Sequence, residues 1–270
     1  MKKEIRIFFT AMMFLTRLPV PQYTDHSQEY LEKSAKYFPL IGWLVAGISW
    51  LTYVVFSKYI GEDIAIIASI IAGILTTGAF HEDGFADCCD AFGGGWTKEK
   101  ILTIMKDSRL GTFGVIGLIS ILSVKFLMLK EIPKFTPDLS APSVNVFANY
   151  GQFLLLLLAA HGASRLMGVY TIRFYDYVTD IDASKAKPIT SRKPSAGLLA
   201  VATIFALAPF ALLDYRLSIA VIPMALTAWQ ANVYFKKWIG GYTGDCLGAI
   251  QQITEIVFYL SVIILWRYWL

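Results

Sequence analysis

Charged residues are scarce in this chain, and their scarcity limits the class of protein it can be. Asp, Glu, Lys and Arg make up 16% of the 270 residues, whereas soluble domains carry about 25%. Hydrophobic residues account for 56%, and the mean hydropathy is +0.55. Because no polar stretch is long enough for a separate soluble domain, the composition predicts a single integral membrane domain over residues 1–270.

Cysteine and clustered positive charge are also lacking. The three cysteines, Cys88, Cys89 and Cys246, do not have the spacing of zinc ligands, so we interpret them as reduced thiols. The net charge is only +4, and lysine and arginine are scattered between apolar segments, which argues against nucleic acid as a partner. No small-residue cleavage site precedes Pro19 and Pro21, so we expect no cleavable signal peptide.

Long apolar segments, by contrast, are abundant. Their number and length predict an all-α, polytopic integral membrane protein with about seven transmembrane helices, since a helix needs about 20 residues to cross a bilayer. A shorter apolar run at residues 5–18 predicts an N-terminal interfacial or re-entrant helix. The second predicted span is short enough to be a half-span. The spans are predicted at about 40–57, 64–80, 112–130, 152–172, 196–213, 217–235 and 253–269.

Lysine and arginine are distributed unevenly around these spans. If the N-terminus lies in the cytoplasm, 17 of the 24 fall on the cytoplasmic side and 5 on the outer side. Cytoplasmic loops of membrane proteins carry an excess of these residues. The sequence therefore predicts a cytoplasmic N-terminus, and it places the polar motifs described next on the cytoplasmic side.

An acidic motif follows the second predicted span directly. Residues 81–90 read His-Glu-Asp-Gly-Phe-Ala-Asp-Cys-Cys-Asp. A carboxylate at the bilayer centre costs roughly 2.5 kcal/mol or more, and hard divalent cations prefer oxygen ligands. On a helix, Asp83, Asp87 and Asp90 would share one narrow arc, with Glu82 off to the side. The motif predicts a magnesium site formed by these four carboxylates; a solvated acidic loop is the simpler alternative.

Two further polar segments could complete this site. In residues 106–114, Arg109 offers a planar fork for phosphate, while Asp107 or Ser108 could cap the next helix, whose N-terminus would favour an anion. Capping together with a basic membrane anchor explains this segment equally well.

In residues 240–249, the glycine-rich backbone with Thr243 and Gly244 could form an anion-binding nest. Asp245 could supply a metal ligand from a second helix, or the segment could be a flexible turn.

Two charged residues lie inside predicted spans. Arg165 falls within residues 152–172 and Glu255 within residues 253–269. A charge inside the membrane requires a partner and marks a functional site by default. Arg165 is therefore a candidate substrate contact, although its long side chain could equally extend to the membrane surface.

Taken together, these motifs resemble the cobalamin 5′-phosphate synthase family. The resemblance extends over essentially the whole chain, and several motifs occur in the family's order. It is carried by His81–Asp90, by Met105–Gly114 (Met-Lys-Asp-Ser-Arg-Leu-Gly-Thr-Phe-Gly), by Gly240–Ala249 (Gly-Gly-Tyr-Thr-Gly-Asp-Cys-Leu-Gly-Ala), and by Phe14–Pro21 and Phe38–Gly42 near the N-terminus.

The resemblance implies an enzyme of late cobalamin biosynthesis. Members transfer the adenosylcobinamide phosphate moiety from adenosylcobinamide-GDP to α-ribazole or its 5′-phosphate, with release of GMP. They use Mg²⁺ and are integral to the prokaryotic cytoplasmic (inner) membrane. Glu82 departs from the family pattern, since relatives often carry an apolar residue there. The predicted residues are His81, Asp83 and Arg109 for catalysis, Asp107, Ser108, Arg165, Thr243 and Gly244 for substrate, and Glu82, Asp83, Asp87, Asp90 and Asp245 for metal.

Two other functions are weaker matches to the sequence. CDP-alcohol phosphotransferases carry Asp-Gly followed by two residues and Ala-Arg, whereas here Asp83-Gly84 is followed by Phe85-Ala86-Asp87. A secondary transporter would place its acidic residues near span centres and show repeated halves, and we find no internal repeat. The expected partners are therefore the two substrates and membrane lipid, with a homo-oligomer left open.

Overall fold

The computed structural model of the protein describes residues 2–25, 27–132, 146–178 and 193–270. Within these ranges the regular structure is helical, which confirms the all-α prediction, and a single isolated bridge pairs Tyr177 with Tyr242. The helices are α1 (Lys2–Leu15), α2 (Gln28–Ser34), α3 (Phe38–Tyr59), α4 (Glu62–Thr77), α5 (Phe80–Gly94), α6 (Lys98–Met105), α7 (Thr112–Glu131), α8 (Val146–Phe174), α9 (Ala196–Leu207), α10 (Val221–Ile239) and α11 (Gly244–Tyr268).

Length and composition support fewer membrane-spanning helices than the sequence predicted. In the part of the chain that the structure describes, five helices are long and apolar enough, and the bent pair α4 and α5 would make a sixth. The 16-residue α4 and the 12-residue α9 are only about 24 Å and 18 Å long, short of a hydrocarbon layer of about 30 Å. The five are Gln28–Tyr59, Thr112–Glu131, Tyr150–Phe174, Tyr215–Ile239 and Gly244–Tyr268.

Contacts at one end of the bundle join the acidic helix to the end of α8 and the start of α11. The backbone N–H of Tyr242 donates to the carbonyl oxygen of Asp176 at 3.0 Å. A Cβ placed on Gly84 of α5 would lie 2.9 Å from Cα of Asp245. Since α8 ends where α11 begins, the connecting helices α9 and α10 must run away from this end and return to it.

The opposite end of the bundle is joined by ion pairs. Lys130 at the end of α7 lies 2.6 Å from Asp63 at the start of α4. Arg267 at the end of α11 lies 3.9 Å from Glu131. The start of α4 therefore lies at the same end of the bundle as the ends of α7 and α11.

The N-terminal helix α1 matches the prediction of a helix too short to span a membrane. Its 14 residues extend about 21 Å, and one face, which includes Ile7, Ala11 and Leu15, is buried. The chain that follows is tied to the end of α4, because the backbone N–H of Arg17 donates to the carbonyl oxygen of Thr76 at 2.8 Å. The segment from Phe14 to Pro21 thus reaches the point where the acidic helix begins.

A sharp bend separates α4 from α5. The two helices meet at 90°, and the bend is made by Gly78 (φ 69°) and Ala79 (φ 59°), both left-handed. Glycine adopts this conformation freely, whereas for alanine it costs roughly 1–2 kcal/mol. The bend turns the acidic motif away from the direction of α4 and lays it against α11, α7 and α6.

Candidate active site on the acidic helix

The acidic motif is helical, as its spacing predicted. Helix α5 begins at Phe80 and ends at Gly94, and the N–H of Gly95 donates to the carbonyl oxygen of Ala91 at 2.9 Å. The glycine run at residues 93–95 therefore ends the helix, in line with the sequence. Along the shared arc, exposure falls from one aspartate to the next: Asp83 is exposed, Asp87 is half-buried and Asp90 is buried.

Two glycines bring α5 and α11 into backbone contact. A Cβ on Gly84 would lie 2.9 Å from both Cα and the carbonyl oxygen of Asp245, and a Cβ on Gly248 would lie 2.9 Å from the carbonyl oxygen of His81. Only glycine permits so close an approach at these positions. The structure thereby places Asp245 against the turn of α5 that carries Asp83 and Gly84.

Asp90 has a structural task that the sequence did not reveal. Its carboxylate accepts the backbone N–H of Gly111 at 2.7 Å and that of Gly114 at 2.8 Å, at the start of α7. These amides have no partner within their own helix, and a carboxylate there also interacts well with the helix dipole. The sequence offered Asp107 or Ser108 as possible caps of this helix, whereas in the structure Asp90 accepts the N–H groups at its start. With both oxygens bonded, Asp90 is poorly placed to bind a metal ion as well.

Glu82 points into the bundle, away from the aspartates. It is buried, and its Oε1 accepts a hydrogen bond from Nε2 of Gln252 on α11 at 2.9 Å. One helical step turns a side chain by about 100°, which separates Glu82 from the arc of Asp83. Within the described residues, no group of three or more His, Cys, Asp and Glu side chains could hold a metal ion. The predicted set of carboxylates is therefore not assembled into one centre.

The ring of His81 also faces inward. It is buried, it contacts the Phe80 ring edge-on at a centroid distance of 5.4 Å, and it lines interior cavities that also involve Arg165 and Gln251. The structure therefore brings His81 together with the predicted substrate contact Arg165. It does not bring the ring to the exposed face of Asp83.

The loop between α6 and α7 lies beside the acidic helix, because Asp90 binds its last residue, Gly111. Arg109 is exposed, and its Nη2 lies 2.6 Å from Oδ2 of Asp107, whose pKa it lowers to about 2 through hydrogen bonding. Ser108 is exposed as well. This loop thus presents a guanidinium group to solvent, with its charge balanced by one carboxylate.

Thr243 caps helix α11. Its Oγ1 accepts the N–H of Cys246 at 3.4 Å, and its hydroxyl contacts the Met105 sulfur at 3.1 Å and Oδ2 of Asp245 at 3.4 Å. The cap is therefore this threonine, which is buried, while Gly244 forms the first helical residue. The positive end of the helix dipole lies next to Asp245 and favours negative charge there.

Glu255 finds its partners within the bundle. Its carboxylate lies 2.7 Å from Nζ of Lys125 on α7, and it accepts hydrogen bonds from Nε2 of Gln251 at 2.7 Å and from the Tyr259 hydroxyl at 3.0 Å. The sequence indicated that Glu255 needs a partner but did not identify one. The signal in the sequence was the four-residue spacing of Gln251, Glu255 and Tyr259, which places these polar side chains on one face of a helix.

Arg165 does not extend to the membrane surface. Only 4% of it is exposed, and its Nη1 donates to the carbonyl oxygen of His161 at 3.0 Å. Gln251 and Gln252 link the two sides of this interior network, since Nε2 of Gln252 donates to both Glu82 and Gln251. The buried face of α5 is thus connected to the charged residues of α7, α8 and α11.

Comparison with known proteins confirms the resemblance read from the sequence. The family described as cobalamin-5-phosphate synthase matches residues 7–263. The chain belongs to this family. A relative from Leptospira interrogans, named adenosylcobinamide-GDP ribazoletransferase, is 41% identical over 275 residues and covers 99% of this chain and 98% of its own. A relative of the same name from Shewanella woodyi is 39% identical and covers 97% of each chain. No solved structure matches the chain.

Proposed function

We propose that this protein transfers the adenosylcobinamide phosphate moiety from adenosylcobinamide-GDP to α-ribazole or α-ribazole 5′-phosphate and releases GMP. Membership of the family over nearly the whole chain supports this reaction, as do the names of its relatives. The observation that carries the proposal in this chain is the contact between α5 and α11. It brings Gly84, the residue after Asp83, against the backbone of Asp245, and the Arg109 loop lies beside the same helix.

The reaction is a displacement at phosphorus. A hydroxyl oxygen of the acceptor forms a bond to the phosphorus on the cobinamide side of the diphosphate, the bond from that phosphorus to the GMP oxygen breaks, and the hydroxyl proton is lost. Such transfers depend on positioning and charge neutralisation more than on covalent catalysis. Arg109 would bind a phosphate oxygen through its planar donors. Asp83 is the most exposed carboxylate of the motif and is the group we assign to accept the proton.

Mg²⁺ fits the donor atoms on this face. Asp83, Asp87 and Asp245 offer carboxylate oxygens, which hard cations prefer. Magnesium is usually bound by one or two carboxylates together with substrate phosphates and not by an all-protein cage. A site completed by the diphosphate is therefore compatible with the lack of a three-ligand group among the described residues. A bound ion would neutralise the negative charge of the diphosphate and of the departing GMP.

We place this site on the cytoplasmic side of the prokaryotic cytoplasmic membrane. The excess of lysine and arginine in the segments that share its side supports this orientation. The start of α11, the end of α8 and the N-terminal segment all lie at the end of the bundle that carries α5. Both substrates would then reach the acidic helix from the cytoplasm.

The test is release of GMP by the purified protein in detergent. Labelled adenosylcobinamide-GDP and α-ribazole should yield GMP and a corrinoid product, and EDTA should abolish both until Mg²⁺ is restored. Asp63→Asn is a suitable control, because Asp63 lies at the opposite end of the bundle and pairs with Lys130. Absence of GMP release by active-site-intact protein would refute the proposed reaction.

A further inference from the structure

A cavity with aromatic walls lies beneath the start of α11. Its walls include Phe14, Phe38 and Phe80. The rings of Phe14 and Phe38 are parallel with centroids 6.0 Å apart, and those of Phe14 and Phe80 meet edge-on at 5.5 Å. Small-molecule sites are typically concave and apolar, with a few polar groups that fix orientation. Neither Asp83 nor Arg109, the residues assigned to proton transfer and phosphate binding, lines this cavity.

The cavity adjoins the acidic face. Gly244 and Gly248 of α11 line it, and Asp245 stands between them in the sequence. Gly168 of α8 lines it as well, and a Cβ at Gly168 would meet nothing within 4 Å. Glycine at position 168 leaves this part of the wall open.

The polar boundary of the cavity holds a buried donor without a partner. Arg165 lines the cavity and is 4% exposed, and its Nε has no hydrogen-bond partner among the described residues. Its Nη1 is used by the carbonyl oxygen of His161. Gln251, the neighbouring polar residue, is already bonded to Glu255 through its nitrogen and to Gln252 through its oxygen. A buried N–H left unpaired is unfavourable, so a ligand that accepts a hydrogen bond would stabilise it.

We infer that this cavity, which encloses about 40 Å³ and is partly open, receives one edge of the aromatic base of the acceptor nucleoside, an inference that depends on the proposed function. The base of α-ribazole is a dimethylbenzimidazole, a flat and largely apolar ring with one unsubstituted ring nitrogen that accepts hydrogen bonds. Its faces and methyl groups suit the phenylalanine walls, and its ring nitrogen suits the Arg165 N–H. The ribose would then lie toward Gly244, on the side of Asp245.

The guanine of the donor substrate fits this cavity less well. Its O6 and N7 can accept a hydrogen bond from Arg165, but its N1–H and amino group are donors, which the phenylalanine walls would leave unpaired. A lipid acyl chain would fill the apolar walls but leave the Arg165 Nε unpaired. The chemistry of the cavity therefore favours the acceptor base over either alternative.

The inference is tested by filling the cavity. Gly168→Leu places a branched side chain in open space beside the cavity. Gly47→Leu makes the same change in α3, where a Cβ also meets nothing within 4 Å and which lies outside the walls of this cavity. Binding of labelled α-ribazole is measured by equilibrium dialysis, and KM is measured for both substrates. Gly168→Leu should weaken α-ribazole binding and raise its KM by about tenfold or more, a change typical of altered packing in a pocket. The KM for adenosylcobinamide-GDP should stay near that of wild type, as should all values for Gly47→Leu.

A second measurement leaves the protein unchanged. The riboside of dimethylindole replaces the accepting ring nitrogen with C–H, so it should bind at least about tenfold more weakly than α-ribazole, since it leaves the Arg165 donor unpaired. Equal binding of the two ribosides would overturn the assignment of Arg165. Wild-type α-ribazole affinity in Gly168→Leu, or a raised KM for adenosylcobinamide-GDP alone, would overturn the site itself. Failure of the proposed reaction is distinguishable, because wild-type protein would then bind α-ribazole and release no GMP.

Discussion

The buried ion pair between Lys125 and Glu255 allows a quantitative prediction about the stability of the protein. The two side chains lie 2.7 Å apart and are 9% and 1% exposed. We propose to replace them singly and together, as Lys125→Met, Glu255→Gln and the double variant. Methionine matches the length of lysine without its charge, and glutamine keeps the shape of glutamate.

The magnitude follows from desolvation. Removal of one partner from a buried ion pair costs roughly 3–5 kcal/mol, because the remaining charge is buried without compensation. In Lys125→Met, Glu255 keeps its hydrogen bonds from Gln251 and Tyr259, so we expect a loss near the lower limit, about 3 kcal/mol. Loss of both charges together is often nearly neutral. The double variant should therefore lie within about 1 kcal/mol of wild type, far from the sum of the single changes.

The assay is thermal unfolding in detergent, with all variants measured in one buffer and at one heating rate. A loss of about 3 kcal/mol corresponds to a fall in Tm of roughly 6–12 °C for a chain of this size. Lys130→Met is the matched control, since Lys130 is on the same helix but pairs with Asp63 where both side chains are partly exposed. Exposed pairs contribute only about 0–1 kcal/mol. Additive effects in the double variant, or equal losses in Lys125→Met and Lys130→Met, would refute the reasoning.

Three further predictions concern the acidic helix. Asp83→Asn should leave Tm nearly unchanged and abolish Mg²⁺-dependent GMP release; normal turnover would contradict its assigned role. Asp90→Ala removes the cap of α7 and should destabilise the protein by about 1–2 kcal/mol in thermal unfolding, whereas an unchanged Tm would contradict the capping role. Gly84→Val forces α5 away from Asp245 and should reduce GMP release even at saturating substrate, and full activity would show that this helix contact is dispensable.

Local features of the sequence predicted much of the architecture. The apolar segments indicated which residues form long helices, because a bilayer or a buried core requires a minimum run of apolar side chains. The acidic motif was predicted to be helical and to end at the glycines of residues 93–95, and α5 does end at Gly94. The family was also identified from motifs within the chain. These properties depend on residues that lie close together in the sequence.

The orientation of the acidic side chains depended on distant residues. Spacing placed Asp83, Asp87 and Asp90 on one arc, but it did not reveal that Asp90 binds amides 21 and 24 residues further along. Nor did it reveal that Glu82 turns inward to Gln252, 170 residues away. The helical repeat fixes the direction in which each side chain points from the helix axis. Which residue lies in that direction is determined by how the helices pack.

The sequence by itself determined that this is an all-helical membrane protein of the cobalamin-5-phosphate synthase family with an acidic helix. Only the tertiary structure decided that Asp90 caps α7, that Lys125 neutralises Glu255, and that an aromatic cavity ends at Arg165. The physical reason is the range of the interactions. Hydrophobic runs and helix propensity act over a few residues, while a buried charge or cavity is defined by whichever helices pack around it.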